Sequence, residues 1–103
     1  MSVLDTTPSS FAMGAGEVLP IGIDVGPLLT SGQAVGSPTI LVTDDTTGEA
    51  VSLVDLPFVS GTMVTQVIRG SELAVGHAYR VQLTFTADPS VTVWECRFQL
   101  TVE

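Results

Sequence analysis

The chain has 103 residues, of which 45% are hydrophobic and 14% charged, and its eleven acidic residues against three arginines and no lysine give a formal net charge of -8. This length fits one domain, and the hydrophobic content is sufficient for a real core. Binding to nucleic acid or to an anionic membrane would require a basic patch, so this charge balance argues against both as partners.

Residues 1–17 show neither strand nor helix periodicity, and we predict that they form an extended N-terminal arm ahead of a folded domain at 18–103. Four apolar side chains spaced along the arm are candidate partner contacts: Val3, Leu4, Phe11 and Met13. They could anchor the arm either on its own domain or on a neighbouring subunit. The first residues lack the basic start and apolar run of a signal peptide, so we expect no secretory leader.

Alternating apolar residues predict a strand over 18–25. Pro20 cannot donate a hydrogen bond to a neighbouring strand, which favours an edge position. A turn follows at 30–33, and 38–43 is the next predicted strand.

The acidic connection after this strand has two interpretations. Asp44 and Asp45 can cap the local backbone of a tight turn, with 49–54 returning as the hairpin partner. The same aspartates, with Glu49, are weak candidates for calcium ligands, because calcium prefers hard oxygen donors. Their spacing matches no calcium-loop pattern, so we predict a turn and neither a metal nor a cofactor.

Residues 56–61 are predicted to be an irregular crossing between two layers, followed by a strand at 62–68. Phe58, in this crossing, and Phe11, in the arm, are the two aromatic residues outside the predicted core. We therefore add Phe58 to the candidate partner contacts.

The last third of the chain gives the strongest signal. Leu73-x-x-Gly76-x-x-Tyr79 opens one alternating run, a second run ends the chain, and the two predict an antiparallel ribbon around 87–90. Tyr79 is expected to hydrogen-bond upstream backbone, and Trp94 to fill the middle of the core. The predicted inward residues are Tyr79, Val81, Leu83, Phe85, Trp94, Cys96, Phe98, Leu100 and Val102. The fold class is therefore all-β, an antiparallel Greek-key sandwich of immunoglobulin type with six strands, or seven if the crossing pairs.

The sequence offers few residues that could take part in catalysis. His77, the single histidine, is predicted to face solvent in a turn, whereas Cys96 is predicted to point into the core. Neither a serine nor a cysteine triad can be built from them, so we predict that the chain is not an enzyme. A lone cysteine also cannot form an internal disulfide.

The segments from Leu73 to Leu83 and from Trp94 to Val102 resemble the last two strands of fibronectin type III-like and immunoglobulin-like domains. The whole chain also resembles the small immunoglobulin-like accessory proteins of tailed bacteriophage particles, in its irregular start, its first strand, its Asp-Asp-Thr-Thr-Gly hairpin and its closing ribbon. This resemblance implies a structural virion protein that is assembled in the host cytoplasm.

Within that implication we favour a capsid decoration, or cement, protein that binds major capsid or tail subunits and copies of itself through its arm and sheet edges. A tail, head–tail connector or baseplate role is the nearest alternative. A carbohydrate- or receptor-binding module using the loops at 26–36 and 55–61 is a further one. An enzyme domain would have only His77 and scattered carboxylates available.

Overall fold

The computed structural model describes residues 2–103, with side chains from Ser10 onward. Within that range the chain forms eight strands and two short 3₁₀-helices, at Gly26–Leu28 and Gly70–Glu72, and no α-helix. The strands are β1 (Ser2–Met13), β2 (Val18–Asp24), β3 (Ala34–Asp44), β4 (Ala50–Val51), β5 (Phe58–Ser60), β6 (Met63–Arg69), β7 (Ala78–Asp88) and β8 (Val93–Val102).

The strands form two sheets, one of five strands in the order β1-β8-β7-β3-β4 and one of three in the order β2-β6-β5. Residues of both sheets share the core: Ile68 of β6, for example, belongs to the same buried cluster as Val81 of β7. The prediction of an all-β fold is therefore confirmed, and the two layers are those that a β-sandwich requires. β2, with Pro20, lies at a sheet edge as predicted.

The strand count exceeds the predicted six or seven because both irregular segments pair. The crossing contributes β5, and the arm contributes β1, which runs parallel to β8. The β1 pairing runs from Ser2↔Trp94 to Asp5↔Arg97, shifts register, and resumes from Ser10↔Gln99 to Met13↔Val102. The arm is thus extended, but it lies along its own domain. A strand whose partner is at the other end of the chain leaves no local turn signal by which the sequence could reveal it.

The predicted closing ribbon is present. β7 and β8 pair antiparallel from Ala78↔Thr101 to Thr86↔Val93, and every predicted inward residue except one is buried. The exception is Trp94, which lies near the end of the ribbon opposite Phe85 and is only partly buried. The prediction that Trp94 fills the middle of the core is therefore wrong, and Phe85, Leu83 and Cys96 occupy that cluster instead.

Tyr79 makes the predicted hydrogen bond to upstream backbone. Its hydroxyl accepts from the Ala74 N–H at 2.7 Å, and its ring is 2% exposed. Gly76 takes a positive φ of 82°, which lets the chain turn between these two residues, and Leu73 packs against the core. The Leu-x-x-Gly-x-x-Tyr pattern thus fixes the entry into β7.

Candidate protein-interaction surface

Asp44 stabilises the turn between β3 and β4. Its Oδ1 accepts hydrogen bonds from the backbone N–H groups of Thr46 and Thr47 at 2.8 and 3.3 Å. Its Oδ2 accepts from His77 Nδ1 at 2.7 Å. The predicted backbone cap is therefore present, and the expectation that His77 simply faces solvent is wrong, because the imidazole is partly buried against a carboxylate.

The three weak metal candidates do not converge. The Asp44 carboxylate accepts hydrogen bonds from the turn backbone and from His77. Asp45 lies 3.8 Å from the Arg80 guanidinium, and Glu49 is exposed. Among the side chains that the structure describes, from Ser10 onward, no group of three or more histidine, cysteine or acidic residues could hold a metal ion. Cys96 is 3% exposed, and burial raises the pKa of its thiol, so it is a poor nucleophile at neutral pH.

The contact between Asp44 and His77 predicts an acid-sensitive fold. The hydrogen bond from His77 is the main cause that lowers the pKa of the Asp44 carboxyl; burial opposes it and the two backbone N–H groups reinforce it. Because this pKa is lower in the folded chain, the stabilisation is complete above the unfolded pKa and is lost as pH falls through the folded pKa. Between about pH 5 and pH 2, we expect the melting temperature of Asp44→Asn to fall less steeply than that of the wild type.

Thermal unfolding followed by circular dichroism at a series of pH values measures this slope. Asp24 also has a lowered pKa, chiefly through the Gly26 N–H, so some acid sensitivity should persist in Asp44→Asn. Asp45→Asn, at the exposed neighbouring position, is the control and should keep the wild-type slope. Equal slopes for wild type and Asp44→Asn would contradict the prediction.

Two of the four predicted anchors in the arm belong to the core of their own domain. Met13 is 2% exposed, and the Phe11 ring packs edge-on against Phe98 with centroids 5.1 Å apart. These two side chains therefore do not form an exposed partner surface, which corrects that part of the prediction. The side chains of Val3 and Leu4 lie outside the described residues.

A row of exposed apolar side chains runs through residues 52–57, which connect β4 to β5, and ends at the first residue of β5. From here on, residues 52–57 are called the crossing segment. Leu53 packs inward against the core. Val54, Leu56 and Phe58 alternate with half-buried residues and are 78%, 81% and 54% exposed. We call these three side chains the outer stripe.

No strand among the described residues pairs with the crossing segment, and polar side chains hold it in place. The Val54 N–H donates to Glu72 Oε2 at 3.0 Å, and Gln66 Nε2 donates to the Asp55 carbonyl at 2.9 Å. Arg69 Nε lies 2.8 Å from Asp55 Oδ2, and this hydrogen bond is the main cause that raises the pKa of the Arg69 guanidinium. Val54 and Leu56 are thus presented on an anchored segment, and Phe58 is held by the pairing of β5 with β6. The sequence pattern identified Phe58 but missed Val54 and Leu56, because alternating apolar residues also predict a strand whose apolar side chains face the core.

The outer stripe lies beside the two shortest described strands, β4 and β5, each of which is at an edge of its sheet. β4 pairs with β3 only at Val42 and Thr43, and β5 is three residues long. Five of the nine large exposed hydrophobic side chains of the described residues lie between positions 41 and 59 of the chain. These five are Leu41, Val54, Leu56, Phe58 and Val59.

Comparisons of this chain with protein-family models, curated proteins and solved structures find no match. No helix among residues 2–103 is long and apolar enough to cross a membrane. The functional interpretation therefore depends on the surface itself.

Proposed function

We propose that this chain is a non-enzymatic structural protein that binds other protein subunits, and that it serves as a capsid decoration protein of a tailed bacteriophage. The observation that carries the binding role is the outer stripe. Contiguous exposed apolar side chains are characteristic of protein interaction sites, because water contact is unfavourable for them until a partner covers them. The low charge of the chain, 14% charged residues, supports the same role.

The phage assignment and the finer fold class are part of this proposal. The hydrogen bond from Ala74 to the Tyr79 hydroxyl, followed by the β7–β8 ribbon, supports a Greek-key sandwich of immunoglobulin type. The resemblance of the chain to phage accessory proteins supports a place on a virion, with major capsid or tail subunits and further copies of itself as partners. Many copies on one particle would turn weak individual contacts into stable attachment.

The proposal is tested by quantitative mass spectrometry of phage particles purified from cells that carry the gene with an affinity tag. We expect the chain in many copies per particle, and a double variant, Leu56→Ser with Phe58→Ser, at a strongly reduced copy number. Val91→Ser is the matched control, since Val91 is 93% exposed but lies in the β7–β8 turn. Absence of the wild-type chain from the particles would overturn the proposal.

A further inference from the structure

We infer that the outer stripe binds an extended segment of another protein, in which apolar side chains alternate along the segment and lysine or arginine residues flank them. The inference rests on the proposed binding role and adds the chemistry of the partner. Three properties of the surface support it: its unpaired strand edge, its small size and its charge.

The strand edge favours an extended partner. Because β4 covers β3 only at Val42 and Thr43, residues 39–41 of β3 have no strand partner on that side among the described residues. Before them the edge is interrupted, because Ser37 has a positive φ of 48° and Pro38 has no N–H to donate. β3 and β5 approach each other on this side of the molecule, and the crossing segment runs between β4 and β5. A short added strand would pair with the backbone of residues 39–41 and direct its alternate side chains toward the stripe.

The size of the stripe favours a short segment over a globular partner. From Val54 to Phe58 an extended chain covers about 13 Å, at roughly 3.3 Å per residue. Three side chains are far fewer than the roughly 20–30 residues on each side of a stable interface between two folded proteins. Side chains that alternate along a partner strand repeat at the same spacing as the stripe.

The charge around the stripe favours a basic partner. Asp45 and Glu49 lie in the hairpin that leads to the crossing segment, and Asp55 lies within it. Arg80 and Arg69 offset the two aspartates, while Glu49 has no ion pair among the described residues. Beneath the segment, the buried Oε1 atoms of Gln66 and Glu72 accept no hydrogen bond from the described residues. Each is an acceptor oxygen, so both add to the negative potential here.

The same charge disfavours a second copy of the chain as the occupant. The chain has a net charge of -8 and no lysine, so two copies would bring like charges together at this surface. A segment from a different protein, with cationic residues beside its apolar ones, would gain both apolar burial and charge attraction.

Fluorescence anisotropy with labelled peptides tests the inference on the full chain. The probe is acetyl-Lys-Thr-Val-Thr-Val-Thr-Lys-amide, and its control has glutamate in place of both lysines. We expect saturable binding of the lysine peptide, at least about tenfold tighter than that of the glutamate peptide and weakened by added salt. Leu56→Ser with Phe58→Ser should weaken binding at least about tenfold, while Val91→Ser should leave it unchanged.

Several results would overturn the inference. These are no binding of the lysine peptide, equal binding of both peptides, or binding that the double variant does not weaken although circular dichroism shows it folded. Sedimentation that shows a dimer of the wild type and a monomer of the double variant would assign the surface to a second copy and also overturn it. Copies on phage particles without peptide binding would remove only this inference, whereas peptide binding by a chain absent from particles would remove only the phage role.

Discussion

Replacing Gly70 by alanine is expected to lower the free energy of unfolding by about 3 kcal/mol, the upper part of the range for overpacking a tightly packed site. A Cβ at this position would lie 2.5 Å from the Gly14 carbonyl oxygen and 2.6 Å from that of Ala15. Both are backbone atoms and cannot move aside by a change of rotamer. The Gly70 N–H also donates to the Glu17 carbonyl at 2.8 Å, so the junction between β1 and β2 is held tightly against Gly70.

Gly16→Ala is the matched control for this prediction. It lies in the same junction, but a Cβ there would have no neighbour within 4 Å, and its φ is not positive. We expect its free energy of unfolding to differ from that of the wild type by no more than about 0.5 kcal/mol, which is usual for surface substitutions. Urea unfolding followed by fluorescence of Trp94 measures both variants. Equal midpoints for Gly70→Ala and the wild type would show that the junction is looser than the structure indicates.

Replacing Phe85 by alanine is expected to lower the free energy of unfolding by about 3–5 kcal/mol, the usual effect of removing a buried aromatic ring. Phe85 is 1% exposed and lies in the second buried cluster with Leu83 and Cys96. The loss has two parts: the ring no longer gains from transfer out of water, and the rigid strands around it cannot close the cavity. Since the total free energy of unfolding of such a domain is about 5–15 kcal/mol, the variant should be close to unfolding at 37 °C.

Thr84→Ala provides the comparison for Phe85→Ala. Thr84 is the preceding residue of β7, points to the opposite face of the sheet and is only half-buried, so its truncation should cost less than about 1 kcal/mol. Differential scanning calorimetry of both variants measures the difference. Similar losses at the two positions would contradict the inward orientation of Phe85.

Local patterns in the sequence were sufficient to predict β7, β8 and the turn after β3. Each depends on residues that are close together in the chain. Side-chain alternation of period two defines the inward face of β7, and Asp44 caps backbone groups two and three residues away. The hydrogen bond from Ala74 to Tyr79 spans five residues and follows from one short motif.

The position of the N-terminal segment could not be predicted in this way. β1 pairs with β8 across almost the whole length of the chain, and its register shifts between Asp5 and Ser10. This register shift interrupts the two-residue alternation by which a strand is predicted, so the sequence left open whether Phe11 and Met13 contact their own domain. Packing decides it, because both side chains fit against the apolar face that β8 presents.

By itself, the sequence determined that this is an all-β protein with an acidic surface and a core centred on its last two strands, because strand periodicity and composition are local or additive properties. Only the tertiary structure decided that Val54 and Leu56 are exposed beside Phe58. Their orientation depends on Glu72 and Gln66, which bind the crossing segment from 18 and 11 residues further along the chain. Contacts at that separation form only once the two sheets have packed, and so the candidate binding surface became visible only in the folded molecule.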